Sequence, residues 1–321
     1  MTELGRLKID KPYLLAPMSM YSDIGLRKIC QRYGAGYAFT EQIYTSEFIK
    51  LDEALKQKLD LFDEVGLQFI SNSPTELKES LRIINDNEFY PGLKNVKSID
   101  LNLGCPTKEV ISKNLGAALL NQPELVRSLF KTMKENTDLP VSAKFRLALD
   151  AKHKKSKPYL RIAKIAQEEG LDFITIHGRS AGQGYTGEVD LEAIKEVHEQ
   201  IKIPLIANGN IVDEESAEKM LKISDAVMIG QQAIQDPFIF KQLDQYFSKH
   251  ERWEFDLLKE KRYCIKKYLN HAFQYGIGFQ HIKIHLQGFL KGMEGREQLI
   301  RRLTHTKTIG EINELMAKGF S

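Results

Sequence analysis

The chain has 321 residues, of which 42% are hydrophobic and 28% charged, and its formal net charge is +3. This composition is that of a globular protein and excludes disordered, fibrous and membrane-spanning classes, since no apolar run is long enough to cross a bilayer. The charged segment after Met1 is unlike a signal sequence, and the three distant cysteines exclude a disulfide framework and a CxxC metal site. We therefore expect a cytoplasmic protein without a membrane segment or a metal.

Short apolar segments rich in strand-forming residues recur along the first part of the chain, and helical periodicity follows most of them. Eight such units in about 240 residues fit a (β/α)8 TIM barrel, and their regular repetition favours a closed barrel over a doubly wound open sheet. The predicted strands cover residues 13–17, 37–43, 67–71, 98–104, 141–147, 173–179, 204–210 and 226–231.

From about residue 241 the strand pattern stops, and segments 255–276, 279–293 and 296–319 are predicted helices separated by glycine. We predict a barrel domain over 1–240 and a small all-helical domain over 241–321. The second domain holds 15 Lys and Arg against 9 Asp and Glu. Such an excess is typical of a solvated helical surface; the alternative is a surface that faces a polyanion.

Polar residues fall at the ends of nearly all the predicted strands. In a TIM barrel the C-terminal ends of the strands build the active site. A buried cation is costly without a partner, so several cations at neighbouring strand ends indicate a site for anionic or carbonyl-rich groups. The residues concerned are Glu41, Gln42, Gln68, Asn102, Cys105, Lys144, Arg146, His177, Arg179, Asn208 and Asn210.

Gly209 and Gly230 come directly after the last two strands. Glycine there lets the backbone approach a ligand, and the loops after strands seven and eight often bind phosphate in this fold. The alternative for each glycine is a plain turn.

Taken together, the motifs resemble the tRNA-dihydrouridine synthases, flavin enzymes that reduce uridine in tRNA. The similarity is collinear from "LLAPMSMYSD" (14–23) to "VMIGQQAIQDPFIF" (227–240), and its most specific parts are "DLNLGCP" (100–106), "HGRSAGQGY" (177–185) and "NGNI" (208–211). The basic tail is similar to the RNA-binding domain of that family. The resemblance implies tRNA as the partner, and no stable protein partner is expected.

The resemblance also implies that FMN lies over the barrel mouth and that NADPH or NADH donates the electrons. Asn102, Arg146 and Arg179 would bind the target base. The residues implied to bind FMN are Pro17, Met18, Gln68, Lys144, His177, Asn208, Gly209, Gly230 and Gln231.

By the same resemblance, Cys105 is the catalytic residue. Hydride would pass from reduced flavin N5 to C6 of uracil, and the Cys105 thiol would protonate C5 from the opposite face. A thiol with an ordinary pKa of about 8.5 is mostly protonated at neutral pH, as a proton donor must be. Cys30 and Cys264 fall in predicted helices and are predicted to be packing residues.

The chain departs from the family pattern at three positions, one of which is Leu191, where the family commonly has tryptophan. Gln231 stands where the family usually has arginine, and Asn210 stands where it usually has an acid. Two other functions stay open. An FMN-dependent oxidoreductase acting on a free pyrimidine or a similar small molecule would not need the basic tail. An RNA-binding or chaperone-like protein that has lost catalysis would bind no flavin and would tolerate replacement of Cys105.

Overall fold

The computed structural model describes residues 1–52, 55, 59–86 and 90–319, the last three as backbone only. A short hairpin, β1 (Thr2–Leu4) and β2 (Leu7–Ile9), precedes one parallel sheet and was not predicted from the sequence. The strands of the sheet are β3 (Tyr13–Leu15), β4 (Tyr37–Ala38), β5 (Ile43–Tyr44), β6 (Val65–Ile70), β7 (Val96–Leu103), β8 (Val141–Arg146), β9 (Phe173–His177), β10 (Leu205–Asn208) and β11 (Ala226–Ile229).

The sheet closes on itself through its second predicted strand, which is split into β4 and β5. The first segment pairs with β3 and the second with β6. Between them Phe39 bridges to Gly66, and the Thr40 N–H donates to the Gly66 carbonyl at 2.9 Å. The predicted TIM barrel is therefore confirmed. Most strands end one or two residues before the predicted end, where the polar side chains turn toward the mouth.

The helices around the barrel are amphipathic. In α5, for example, Val126, Leu129, Phe130 and Met133 recur at helical spacing and are buried against the sheet. The helices are α1 (Ile24–Arg32), α2 (Thr45–Phe48), α3 (Pro74–Asp86), α4 (Lys108–Ser112), α5 (Pro123–Asn136), α6 (Ala151–Lys154), α7 (Pro158–Glu168), α8 (Leu191–Gln200), α9 (Glu214–Leu221) and α10 (Gln231–Gln235), with 3-10 helices at Pro91–Asn95 and Gly116–Asn121.

Five helices follow the barrel. The first of them crosses the predicted domain boundary between residues 240 and 241. The division into two domains at that point stays a prediction. The predicted helix 296–319 is two helices, because Thr306 is extended and the Thr308 hydroxyl accepts the Glu311 N–H. The five are α11 (Ile239–Lys249), α12 (Leu257–Tyr275), α13 (Phe279–Phe289), α14 (Arg296–His305) and α15 (Ile309–Gly319).

The tail is joined to the barrel by a buried polar contact between α12, α13 and the start of α1. The Tyr268 hydroxyl donates to Asp23 Oδ2 at 2.6 Å, and His285 Nε2 lies 3.2 Å from the same oxygen. Gly25 leaves room for the Tyr268 ring, since a Cβ there would lie 2.8 Å from it. Cys30 and Cys264 are buried in the hydrophobic core, which confirms the prediction that they are packing residues. Among the described residues, no helix combines the length and apolar character that a membrane crossing needs.

Candidate active site at the barrel mouth

A cavity of about 840 Å³ opens at the C-terminal ends of the strands. This volume lies in the range of small-molecule and cofactor sites. Of the residues predicted to act in catalysis, to bind FMN or to bind the base, the structure brings all but one to its wall: Pro17, Met18, Asn102, Cys105, Lys144, Arg146, His177, Arg179, Asn208, Gly209, Gly230 and Gln231.

Gln68 is the exception, because it lies below the cavity in the barrel interior and is only 1% exposed. Its amide nitrogen donates to Asp100 Oδ2 at 2.7 Å, and its amide oxygen accepts from Asn102 Nδ2 at 2.9 Å. Both ends of this side chain therefore have protein partners. A direct contact of Gln68 with a ligand stays a prediction.

The loop after β7 places the Cys105 thiol at the cavity wall, and the Asn102 side chain holds that loop. Asn102 Oδ1 accepts the N–H groups of Gly104 and Cys105 at 3.0 and 2.9 Å. The thiol is partly exposed and lies 3.7 Å from the Thr107 hydroxyl. The sulfur is therefore open to a ligand while its backbone is fixed.

Three cations from β8 and the loop after β9 surround the cavity. Burial, together with the charge of Arg146, lowers the pKa of Lys144 to about 8, and the Lys144 ammonium has no hydrogen bond or ion pair within the described ranges. Arg146 donates to the carbonyls of Ser180 and Gly184 at 3.1 and 2.8 Å. These contacts order the loop after β9.

Arg179 also orders the loop after β9, since its Nε and Nη2 donate to the Gly187 carbonyl at 3.0 and 2.7 Å. The loop presents Tyr185, which is 59% exposed and lies 5.5 Å from the Arg146 guanidinium carbon. Both arginines border the cavity, and burial lowers the pKa of each. They hold a wall of the site whether or not they also touch a ligand.

His177 ends β9 between these cations. Burial, followed by the charges of Lys144, Arg146 and Arg179, lowers its pKa to about 2, so the imidazole is neutral. Its Nδ1 is buried and has no hydrogen-bond partner in the described structure. A buried polar atom without a partner is costly, so Nδ1 is a candidate contact for a ligand.

The glycines after β10 and β11 leave the backbone open to the cavity. Gly209 has φ of +124°, and a Cβ there would lie 3.4 Å from the His177 ring. A Cβ on Gly230 would lie 3.4 Å from the Met18 sulfur. Asn210 has φ of +55°, a left-handed conformation that asparagine tolerates better than most residues. Gln231 is exposed at the start of α10.

Sequence reasoning did not assign the part of the wall that comes from the tail. Ile284 and Gln287 of α13, together with Lys291 and Arg296, also line the cavity. Gly288 allows this approach, since a Cβ there would lie 2.9 Å from Ile234 in α10. No local pattern links residues so far along the chain to the mouth. Tyr185 was also missed, although it ends the segment 177–185, whereas Gln42 was expected at a strand end and does border the cavity.

The charge of the lining is one-sided. The cavity is bordered by five cations and, among the residues that the structure describes, by no carboxylate. Cations that border a cavity without counter-charges favour the binding of an anionic or carbonyl-rich ligand. The cations are Lys144, Arg146, Arg179, Lys291 and Arg296.

The chain is similar to proteins of one family over most of its length. The family model of dihydrouridine synthase (Dus) matches residues 14–319. The tRNA-dihydrouridine synthase B of Pasteurella multocida (strain Pm70) is 32% identical over 296 residues, which cover 91% of this chain and 87% of that protein. The tRNA-dihydrouridine synthase B of Pectobacterium carotovorum is 29% identical over 99% of this chain and 98% of its own length.

Among solved structures, a 2-naphthoyl-CoA reductase in complex with 2-naphthoyl-CoA superposes with a TM-score of 0.56 at 13% identity, over 77% of this chain and 51% of that one. This likeness shows a shared fold only. The family match extends over nearly the whole chain and includes the cavity, the loop of Cys105 and the tail. The chain therefore belongs to the dihydrouridine synthase family of enzymes.

Proposed function

We propose that the protein reduces a specific uridine of tRNA to 5,6-dihydrouridine, with FMN as cofactor and NADPH or NADH as electron donor. The observation that carries the proposal is a cavity with five cations, no carboxylate among its described lining residues, and a cysteine thiol at its wall. FMN and the target nucleotide are both anionic and rich in carbonyl groups, so both suit this lining. A cytoplasmic location belongs to the same proposal.

The residues present fit FMN. The unpartnered His177 Nδ1 and the Lys144 ammonium offer polar contacts inside the cavity, and the backbone at Gly209 and Gly230 leaves a cradle that side chains would fill. Pro17, Met18, Asn208 and Gln231 complete the proposed FMN-binding set, and Gln68 supports it from below. FMN supplies a hydride for the uracil C5=C6 bond when it is bound.

Cys105 supplies the proton in this proposal. Its thiol faces the cavity, and Asn102 fixes its backbone, so the sulfur can be held on one face of a bound base. The S–H bond breaks and a C–H bond forms at C5, and solvent then returns a proton to the sulfur. Arg146 and Arg179 order the loop of Tyr185 beside the base, and we propose that they also contact it.

A second surface suits the body of the tRNA. Lys28 and Arg32 of α1 lie near Lys267 of α12, and burial and these three charges lower the pKa of His271 between them. Arg32 and Lys267 flank the Tyr263 ring at 5.5 and 5.6 Å. None of the three cations has an ion-pair partner within the described ranges. Unpaired cations beside an aromatic ring are typical of a surface that binds a phosphate backbone.

The tail cannot be treated as a separable RNA-binding arm. Ile284 and Gln287 form part of the cavity wall, so removing residues beyond 245 would open the site for any substrate. Truncation therefore does not distinguish a tRNA enzyme from one that acts on a free pyrimidine. Charge changes on the surface of Lys28, Arg32 and Lys267 do, because this surface lies outside the cavity lining.

The test is nucleoside mass spectrometry of unmodified tRNA after incubation with the purified protein, FMN and NADPH. We expect one uridine position to gain the mass of two hydrogen atoms, and free uridine to stay unreduced. Reduction of free uridine or another small pyrimidine, with tRNA untouched, would replace the proposal with the small-molecule oxidoreductase. Absence of bound flavin with tight tRNA binding would favour a non-catalytic RNA-binding protein.

A further inference from the structure

A chain of side-chain hydrogen bonds runs through the barrel interior beneath the proposed active site. Ser142 Oγ donates to Asp100 Oδ1 at 2.6 Å, and Gln68 Nε2 donates to Asp100 Oδ2 at 2.7 Å. Gln68 Oε1 in turn accepts from Asn102 Nδ2 at 2.9 Å. Beyond Asn102 the chain reaches the loop of Cys105, whose N–H donates to Asn102 Oδ1 at 2.9 Å.

The register of the sheet builds this chain. Gln68, Asp100 and Ser142 are direct partners across β6, β7 and β8, so they lie in one layer of the barrel. Asn102 follows Asp100 by two residues, and its side chain therefore points to the same interior side, one layer nearer the mouth. Asp100 is only 1% exposed, so water does not compete for its oxygens.

The two ends of the chain fix the direction of every bond in it. An ionised carboxylate can only accept, so Gln68 must turn its NH₂ toward Asp100 and its carbonyl toward Asn102. Asn102 must then turn its NH₂ toward Gln68, which leaves its carbonyl for backbone N–H groups. A backbone N–H can only donate, so the Cys105 end requires the same orientation.

Two further observations bear on whether Asp100 orients these amides. Burial raises the pKa of Asp100 to about 6, while Ser142, Gln68 and the charge of Lys144 act in the opposite direction, so the carboxylate is mostly ionised at neutral pH. Gln42 Oε1 also accepts from Asn102 Nδ2 at 2.9 Å, but Gln42 borders the cavity, where its amide can follow Asn102 in either orientation. Asp100 is the acceptor-only group that orients the chain.

We propose that Asp100 is a positioning residue for Cys105 and acts through the oriented amides of Gln68 and Asn102. An effect of this positioning on turnover rests on the proposed role of Cys105 as proton donor. The hydrogen-bond chain itself can be tested without the reaction.

The protein sequence contains only three cysteines. Labelling with ¹⁵N-cysteine therefore gives one amide signal in the proposed site and two reference signals. Cys30 and Cys264 are buried inside α1 and α12, and their exchange reports opening of the fold. The hydrogen-exchange rate of the Cys105 amide reports whether Asn102 Oδ1 accepts from it.

In Asp100→Asn the side chain can present either its NH₂ or its carbonyl to Gln68, so the fixed direction is lost along with a charge-assisted bond. We expect the Cys105 amide to exchange about tenfold faster, with Cys30 and Cys264 unchanged. In Asp100→Asn combined with Gln68→Glu, the carboxylate moves to position 68 and accepts from both sides. We expect this double variant to return to within about threefold of the wild-type rate, because the same orientation is restored at Asn102.

If Asp100→Asn does not fold, Gln68→Met breaks the chain one link nearer to Asn102 and should give the same acceleration. Unchanged exchange of the Cys105 amide in either variant overturns the proposal, as does a double variant that exchanges as fast as Asp100→Asn. Turnover on tRNA, measured in the same variants, should fall and recover in parallel with the protection of the Cys105 amide from hydrogen exchange. Turnover that stays constant while this protection changes overturns the positioning role. A wild-type protein that reduces no uridine refutes the proposed function separately, since the exchange results do not depend on it.

Discussion

Two of the regions in which the molecule buries cations treat those cations in opposite ways. At the start of α1, Arg27 is fully buried and every N–H of its guanidinium has a partner, including Asp60 and Asp63 at 2.8 Å. At the barrel mouth, Lys144 and Arg146 are at least half-buried and border a cavity whose described lining contains no carboxylate. The protein itself supplies the counter-charges of Arg27, whereas it supplies none in the described lining around Lys144 and Arg146.

The difference separates structural from functional polarity. A matched buried cation stabilises the fold only as long as its partners remain, because removing one member leaves a buried charge. An unmatched cation lowers stability and is explained by a ligand that supplies the missing charge. Substitutions at the mouth should therefore affect chemistry and spare the fold, and substitutions beside Arg27 should do the reverse.

The largest expected effect is at Cys105. Cys105→Ala should lower dihydrouridine formation in single-turnover assays by about 10²–10⁴-fold, as for loss of a general acid, while flavin and tRNA binding stay close to wild type. Cys105→Ser is the size-matched control and should be similarly impaired, since a hydroxyl is a far weaker acid. Wild-type turnover in either variant would remove Cys105 from the reaction.

Arg27 should give the next largest effect, on stability alone. Arg27→Met leaves the buried Asp63 and the half-buried Asp60 without their cation, and we expect the free energy of unfolding to fall by about 3–5 kcal/mol in urea titrations. Arg82→Met is the control, because Arg82 pairs with Glu79 and Asp86 on an exposed face of α3, where solvent screens the pairs and their loss should leave the free energy of unfolding nearly unchanged. Equal effects of the two substitutions would contradict the comparison.

Lys144→Met should shift stability in the other direction. Burial holds the pKa of Lys144 at about 8, below its ordinary value of 10.5, so its charged form destabilises the folded protein at neutral pH. We expect Lys144→Met to raise the free energy of unfolding by about 2 kcal/mol while visible absorbance shows weaker retention of flavin.

The pH dependence checks the sign of this effect. Between pH 8 and 10.5 the unfolded chain keeps the Lys144 proton that the folded protein releases. The free energy of unfolding of wild type should therefore rise over this interval relative to that of Lys144→Met. Parallel curves would show that Lys144 carries no burial penalty.

The smallest effect is expected on the outer surface. Lys267→Glu should weaken tRNA binding about tenfold at about 50 mM salt and clearly less at about 200 mM, because fewer counterions are released. Arg82→Glu is the control of equal charge change on a face that already holds acidic partners. Equal losses in both variants at both salt concentrations would exclude a specific role for the surface around Tyr263.

Much of the fold could be predicted because each barrel strand carries a short apolar signal in its own sequence. The polar residues at the strand ends followed from the same pattern, and the structure places Lys144, His177 and Cys105 around one cavity. The hairpin β1–β2 was missed because its three-residue strands lie in a charged segment. The break at Thr306 was missed because its flanks have helical periodicity.

Long-range parts of the site had no local signal. The partners of Gln68 depend on the register between β6, β7 and β8, and the contribution of Lys291 and Arg296 depends on how the tail packs against α10. Such contacts are set by tertiary packing between residues distant in the chain. They could be found only from the three-dimensional structure.

The close packing of Gly288 against Ile234 has a consequence for the newly made protein. A ribosome completes the barrel strands before it has produced α13, and at about 5–20 residues per second the tail follows only after several seconds. During that interval the cavity lacks one wall, and Lys291 and Arg296 are absent from it. A nascent chain that has reached only the last barrel strand therefore lacks this part of the lining, and the cavity obtains it only after α13, Lys291 and Arg296 have been synthesised.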